Sequence, residues 1–419
     1  MWHARRTAAV APDHGNRRFA VTIVLGGLVA FGPLSIDLYL SALPELSASL
    51  DASKSLGQLT LSMCMVGLAV GQLLTGPLSD RIGRRRPLLA SVTLFTLASL
   101  LCAVSPNIES LLLFRFVQGF AGSGGLVIAR SIVRDTYGTD GSARMFSRLM
   151  LITGLAPILA PVLGGQMLRF TDWRGLFLVL GVIGALLLIA CALLVEETVS
   201  DSERRSNKKV KTSHFGPLLR NGRFVALAAI AALSGGAFFT YISMSPYALR
   251  HDFGTGPQEF SFIFATNSVG LVLMAQVNAY LLSRFRTSTL MQVGIWACWL
   301  STVMMTGLVV SDPPLLVLLV PLFLAIAFKS LITPNNLALA MSVIPRSSGT
   351  SAALVGMVSF LMGALLPPFV SLWESSLRAM GLTMSLTMTS TLVICLLAAR
   401  TKPDVSKDPA VPDLSQSSG

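Results

Sequence analysis

Apolar runs of about 20 residues, each closed by a short polar or charged break, recur twelve times along the chain. They cover 19–44, 58–79, 87–105, 110–133, 146–168 and 175–195, then 223–248, 259–283, 288–310, 314–342, 349–373 and 377–399. Such a run is what an α-helix needs to cross hydrocarbon. The pattern therefore predicts an all-α membrane protein of twelve transmembrane helices. The longest polar interruption, 196–222, divides them into two six-helix halves, 19–195 and 223–399, flanked by tails at 1–18 and 400–419. The first run is not expected to be a cleaved leader. It exceeds the roughly 7–15 apolar residues of a signal peptide, and it contains Asp37.

Composition agrees with that pattern. Of 419 residues, 53% are apolar and 12% charged, about half the charge of a soluble domain. A net charge of +12 points to nucleic acid only if the cations share a face. Here they are sorted by loop. With the N-terminus inside, 25 of the 32 Lys and Arg residues fall in inner segments or at the inner ends of spans, five (Lys54, Arg169, Arg174, Arg250, Arg378) in outer loops or at an outer span end, and Arg115 and Lys329 deep within spans. The positive-inside rule then puts both termini in the cytoplasm. The stretch 196–222 reads as a solvated basic linker, and the tail from 400, rich in Pro, Asp and Ser, as disordered. Five cysteines lie singly in apolar runs and the four histidines lie in tails or loops, so no metal or redox spacing emerges.

Features recur about 205 residues apart. The loop Asp80-Arg81-Ile82-Gly83-Arg84 has a degraded echo in Ser283-Arg284-Phe285-Arg286, and Gly154, Pro157 and Pro161 are matched by Gly356, Gly363 and Pro367. Parallel six-helix halves are a recurring transporter plan. More specifically, Gly76-Pro77-Leu78-Ser79-Asp80-Arg81-Ile82-Gly83-Arg84-Arg85-Arg86 resembles the loop signature of the major facilitator superfamily. Leu113-Phe114-Arg115-Phe116-Val117-Gln118-Gly119 resembles its fourth-span motif. The segment from Gly154 through Pro157 and Pro161 to Gly164-Gly165 is similar to the fifth-span motif of the drug/proton antiporters. Ile36-Asp37-Leu38-Tyr39-Leu40 and Ile132-Val133-Arg134-Asp135-Thr136-Tyr137 narrow the likeness to the Bcr/CflA (bicyclomycin/chloramphenicol resistance-like) branch. The chain departs from that branch at Ser41, where a proline is usual, at Lys329, and in the second-half loop, which lacks the acid and the glycine.

Of the 20 acids, Asp37 alone lies well inside a span. A carboxylate in hydrocarbon is costly unless it faces a cavity or a partner, so Asp37 is a candidate proton carrier; its alternative is a cap on backbone opened by Gly32-Pro33. Counting about 1.5 Å per helical residue puts Asp37 and Arg115 at a similar depth, so an ion pair across the cavity is feasible, although Arg115 can equally brace helices through carbonyls. Lys329 lies too deep to reach the interface and must face water, an acid or an anion. A pairing with Asp37 is conceivable. Asp80 can neutralise the N-terminal end of a facing helix, which the resemblance implies is span eleven. Arg81 and Arg84 can pair with Asp135, and with Gly76 and Gly83 they form the candidate cytoplasmic gate. The resemblance makes the fifth-span segment a barrier to proton leak. Tyr39, Gln118, Tyr241, Asn267, Lys329 and Asn335 are candidate cavity residues, each equally able to bond a neighbouring helix.

No nucleophile, metal or cofactor motif appears, so an enzyme is not expected. The resemblance implies a proton-gradient-driven antiporter that exports drugs or other amphiphilic molecules, needs no cofactor and sits in the bacterial inner (plasma) membrane. Its expected partners are a small-molecule substrate, protons and the lipid bilayer, not nucleic acid, and it is expected to be a monomer. Export of a metabolite such as a sugar, amino-acid derivative or organic anion is the rival reading, with a non-transporting scaffold or sensor further behind.

Overall fold

The computed structural model describes residues 14–198, 215–311, 314–343, 348–372 and 377–400. Among them the chain is built from α-helices and short turns. Ten helices are long and apolar enough to cross a membrane: Ala20–Ser49, Lys54–Ile82, Arg85–Ala103, Ile108–Val133, Trp173–Leu194, Gly222–Phe253, Pro257–Leu281, Thr287–Val309, Leu315–Val343 and Leu377–Ala398. Two shorter apolar helices, Gly154–Met167 and Leu354–Val370, fall where spans five and eleven were expected. The central part of the 196–222 linker and the extreme tails lie outside the described residues, and Phe215–Arg220 forms a short helix before span seven.

Helix starts follow from polar residues at the edges of the apolar runs. Ser53 accepts from the Leu56 N–H, Asn107 from Ser110, Asp172 from Arg174 and Gly175, and Asn221 from Phe224. Each satisfies backbone donors that a helix leaves open in its first turn. Asp252, from the end of span seven, does the same in trans for span twelve, accepting from the Leu377 N–H at 2.9 Å.

Two features were not expected. Span one is not one helix over 19–44. Its regular part, His14–Asp37, stops at the acid, and a 3-10 turn at Leu40–Ala42 leads into a short helix, Leu43–Ser49. Helical geometry also runs from Ile108 to Met167 without interruption. That stretch cannot be straight. A side chain added at Gly125 would meet the Leu28 carbonyl, and one added at Gly26 would meet Ile152. Residues 125 and 152 would lie about 40 Å apart on a straight helix, yet both reach the same level of span one. The chain therefore doubles back between them, giving antiparallel spans four and five.

Spans two and four pack closely within the first half, and spans nine and ten within the second. Between the halves, span two meets span eleven and span five meets span eight. One buried apolar cluster runs through both halves, joining Leu38–Leu46 and Trp173 to Tyr241, Leu249 and Phe260. A second, including Leu25, Phe31, Phe95 and Val133, is confined to the first half towards its arginine loop, with Phe31 stacked on Phe95 at 3.9 Å.

Close approach of spans two and four depends on Gly119, where an added Cβ would lie 2.0 Å from the Cys64 carbonyl oxygen. Backbone cannot move aside as a side chain can. Gly119→Ala should therefore lower stability by about 1–3 kcal/mol. Gly356, with nothing within 4 Å of an added Cβ, should accept alanine with no loss or a gain of up to about 1 kcal/mol. Unfolding of both variants in mixed detergent checks the contrast.

Candidate functional site

Asp37 is the last residue of its helix and is 5% exposed. Its carboxylate thus sits at the negative end of the helix dipole. No hydrogen bond or ion pair holds it among the described residues, so it is not the backbone cap considered from sequence. The buried cluster that holds its neighbours Ile36 and Leu38 also holds Tyr241 of span seven, in the other half. Tyr241 accepts a hydrogen bond from Asn267 Nδ2 at 3.0 Å and stacks on Phe264, with 5.4 Å between ring centroids. Tyr241 and Asn267 are thus joined within the second half, in the cluster that also takes in Ile36 and Leu38 on either side of Asp37.

Arg115 is fully buried, and its donors are spent elsewhere. Its guanidinium donates to the Ser35 carbonyl at 2.9 Å, to the Thr60 carbonyl at 3.4 Å and to Gln118 Oε1. It lies over the Tyr39 and Phe177 rings, 4.4 and 5.4 Å from their centroids. The feasible pair with Asp37 is not formed: equal depth was right, but carbonyls and aromatic faces of the first half enclose the cation. Tyr39 hydrogen-bonds Thr60 Oγ1 at 3.0 Å and Gln118 donates to Ser99 Oγ at 2.8 Å, so both belong to this enclosed network and not to an open cavity.

Lys329 is also removed from Asp37. It donates to Ser234 Oγ of span seven at 3.1 Å, within a small cavity shared with Phe238, Cys298, Thr302 and Met384. Those residues all come from the second half. Asn335 donates to Asn278 Oδ1 and to the Leu331 carbonyl, both at 2.8 Å, tying span ten to span eight.

The arginine loop is a compact polar knot. Gly83 adopts φ 98°, a conformation suited to glycine, and so turns the chain between spans two and three. Arg84 is 3% exposed. It donates to Asp135 Oδ2 at 3.0 Å, to Ser79 Oγ at 2.8 Å and to Asp80. Burial opposes its charge, but the bonds to Asp135 and Asp80 outweigh that and hold its pKa above the ordinary arginine value. Arg81 is exposed and forms no ion pair among the described residues. A Cβ added at Gly76 would lie 3.8 Å from the Val127 side chain, an ordinary van der Waals contact. The contact expected between Asp80 and the start of span eleven involves residues 344–350, whose side chains are outside the described set.

Sequence reasoning missed Glu197. Its carboxylate accepts from the Arg84 N–H at 2.8 Å and the Arg85 N–H at 3.3 Å, capping span three from the end of span six. Its position just past an apolar run that ends on the same side as the arginine loop was the available signal.

At the opposite end the halves are joined. Ser47 Oγ lies 2.7 Å from Tyr247 Oη, Tyr247 also reaches the Leu43 carbonyl at 3.2 Å, and Ser55 donates to the Pro368 carbonyl at 2.9 Å. Gln258 donates to the Gly165 carbonyl at 2.9 Å. Here the fifth-span segment finds its place. An added Cβ at Gly164 would lie 1.9 Å from the Leu38 carbonyl oxygen, one at Gly165 would strike Ser261 of span eight, and Gly154 faces Val272. Pro157 and Pro161 lie inside the same helix.

The sequence profile of the Major Facilitator Superfamily matches residues 23–367. The chain is 36% identical to an uncharacterized MFS-type transporter, YdgK of Bacillus subtilis, over 89% of its length and 94% of the relative's. It is 26% identical to a bicyclomycin resistance protein homolog of Haemophilus influenzae, covering 91% and 95% of the two chains. With the multidrug resistance protein MdtL of a Shewanella species it shares 32% identity over 63% of this chain and 66% of that one. Among solved structures, a bacterial homologue of the human lysosomal transporter Spinster, in an inward-facing and occupied conformation, superposes with a TM-score of 0.72 at 16% identity, over 93% of this chain and 96% of that one.

Removing the Glu197 cap should loosen the start of span three by about 0.5–2 kcal/mol. In Glu197→Ala, hydrogen exchange at the Arg84 and Arg85 amides should quicken severalfold, while Ser110, capped by Asn107, should not change.

Proposed function

The chain belongs to the Major Facilitator Superfamily, and on that premise we propose that it exports drugs or other amphiphilic small molecules in exchange for protons. As a member of that family it is a transporter and a multi-pass membrane protein. Under the positive-inside orientation, both termini and the arginine loop face the cytoplasm, and the membrane is the bacterial inner membrane. The end joined through Ser47 and Tyr247 is then the outer end. The driving force is the proton gradient, and no cofactor takes part.

The observation that supports this reading most directly is Asp37. It is the one acid well inside a span, it is buried without a hydrogen bond among the described residues, and it sits where the helix breaks and the halves meet. In the proposed cycle the Ser47–Tyr247 end opens, Asp37 takes a proton from outside, and the halves rock to expose the site inward. Substrate then enters from the cytoplasmic side as the proton leaves. Each charge carried across the membrane adds about 2.3 kcal/mol per 100 mV, so the stoichiometry sets how steeply export follows voltage. The names of the bicyclomycin- and multidrug-resistance relatives are the support for a drug-like substrate.

Everted vesicles test the reading. Drug uptake by the wild-type protein should require an acidic interior and should fall more than about tenfold when the proton gradient is collapsed. Asp37→Asn, which keeps the side chain's size but cannot release a proton, should lose the gradient-driven component. Undiminished gradient-driven uptake in that variant would falsify the carrier role of Asp37, and no uptake across several drug classes in wild type would move the substrate to a metabolite.

A further inference from the structure

Each half places one cation deep along its fourth span, Arg115 fully buried and Lys329 half-buried, and the two are housed differently. Arg115 has three oxygen acceptors and two aromatic faces. Lys329 has three N–H donors and, among the described residues, one hydrogen bond, to Ser234 Oγ.

Among the described residues no counter-charge lies beside Lys329. The half from 223 to 399 contains four acids, Asp252, Glu259, Asp312 and Glu374, all at or beside the connections between spans seven and eight, nine and ten, or eleven and twelve. Lys329 lies in the middle of Leu315–Val343, about 21 Å of helix from either end. Asp37, in the other half, is held by no charge partner. Around the ammonium, span seven offers Ser234 and Phe238, span nine Cys298 and Thr302, and span twelve Met384 and Met388. Cys298, the one ionisable neighbour among these, directs its S–H at the Ala325 carbonyl, 3.2 Å away.

The cavity beside Lys329 therefore presents donors and no negative group. The ammonium keeps N–H bonds to spare. Ser234 uses an oxygen lone pair on Lys329 and makes no other side-chain hydrogen bond among the described residues, which leaves its O–H proton free to turn inward. A half-buried ammonium with donors to spare attracts a small negative charge that accepts hydrogen bonds. We infer that this cavity, with room for about one small ion, binds a halide between the Lys329 ammonium and the Ser234 hydroxyl. The site lies inside the second half, separate from Asp37, and does not depend on the identity of the exported compound.

Chloride-35 NMR line broadening on the purified full chain, with gluconate holding ionic strength constant, reads the site directly. Wild type should broaden the chloride line saturably. Lys329→Met should abolish the effect, Lys329→Arg should retain it, and Ser234→Ala should weaken binding about tenfold, the equivalent of one hydrogen bond to a charged group. Asp37→Asn should bind as wild type does, which separates this site from proton coupling. Chloride should be displaced by bromide and retained against acetate; displacement by acetate would overturn the assignment to a single small ion. No saturable broadening in wild type, or equal broadening in Lys329→Met, overturns the proposal. Should Lys329→Met fail to fold, Ser234→Ala carries the same decision.

Discussion

A charge inside hydrocarbon must be neutralised, hydrogen-bonded or hydrated, and the way this chain meets that demand organises most of what surrounds its three embedded charges. Arg115 is the clearest case. Its fork takes carbonyls from span one at Ser35 and from span two at Thr60, and through Gln118 it reaches Ser99 of span three. Tyr39 and Phe177 cover its faces. One cation thus fastens five of the six spans of its half. The carbonyl it takes at Ser35 precedes Asp37 by two residues and the ring it lies under at Tyr39 follows by two, so the same contacts fix the helix break that leaves the acid without a partner. Arg115 and Asp37 are linked through the backbone and not through an ion pair.

The two ends of the molecule are held by different chemistry. At the arginine loop, charged groups dominate: Arg84 between Asp80 and Asp135, with Glu197 on the backbone of span three. At the Ser47–Tyr247 end the polar contacts between halves are hydroxyl and amide hydrogen bonds laid over a shared apolar cluster. Neutral hydrogen bonds contribute about 0.5–1.5 kcal/mol each. A handful of them, with glycine-permitted contacts at Gly164 and Gly165, closes an end without making its opening prohibitive. Buried ion pairs across the same seam would be far harder to separate and to resolvate.

The spans were legible in the sequence because hydrocarbon imposes one simple rule on length and polarity, and the caps at Ser53, Asn107, Asp172 and Asn221 mark several of the starts. The break after Asp37 was not legible. Nothing in Leu38-Tyr39-Leu40 disfavours a helix, and the irregularity is set by Arg115 and by the close approach of Gly164 to the Leu38 carbonyl. Depth along a helix axis follows from residue count, so Asp37 and Arg115 were placed correctly at one level. Direction around the axis does not, because a few degrees accumulated along a real helix turn a side chain from the interface into the bundle. The same limitation put Lys329 in the central cleft on paper while the fold directs it towards Ser234. Of the loop residues, Arg84 and Asp135 met as expected, since the loop is short and Gly83 leaves it few conformations. Glu197 lies 113 residues from Arg84, and no local pattern links them.

The halves share an architecture but not a material. The first carries the complete loop signature and a saturated arginine. In the second, the corresponding loop has no acid, and Arg284 lies over the Tyr280 ring, 5.1 Å from its centroid. The second half is laced by amides and hydroxyls: Asn335 to Asn278, Asn336 to the Leu227 carbonyl, Ser359 to the Ala231 carbonyl and Thr306 to Ser385. Such bonds are short-ranged, and hydroxyls re-pair by rotation at little cost, whereas a guanidinium fork matched to three acceptors has one good geometry. In the proposed cycle the first half would then move as a block around Arg115, and adjustment to different substrates would fall to the second. The aromatic and methionine side chains near Tyr241, Phe238 and Met384 can repack there without breaking a charge network.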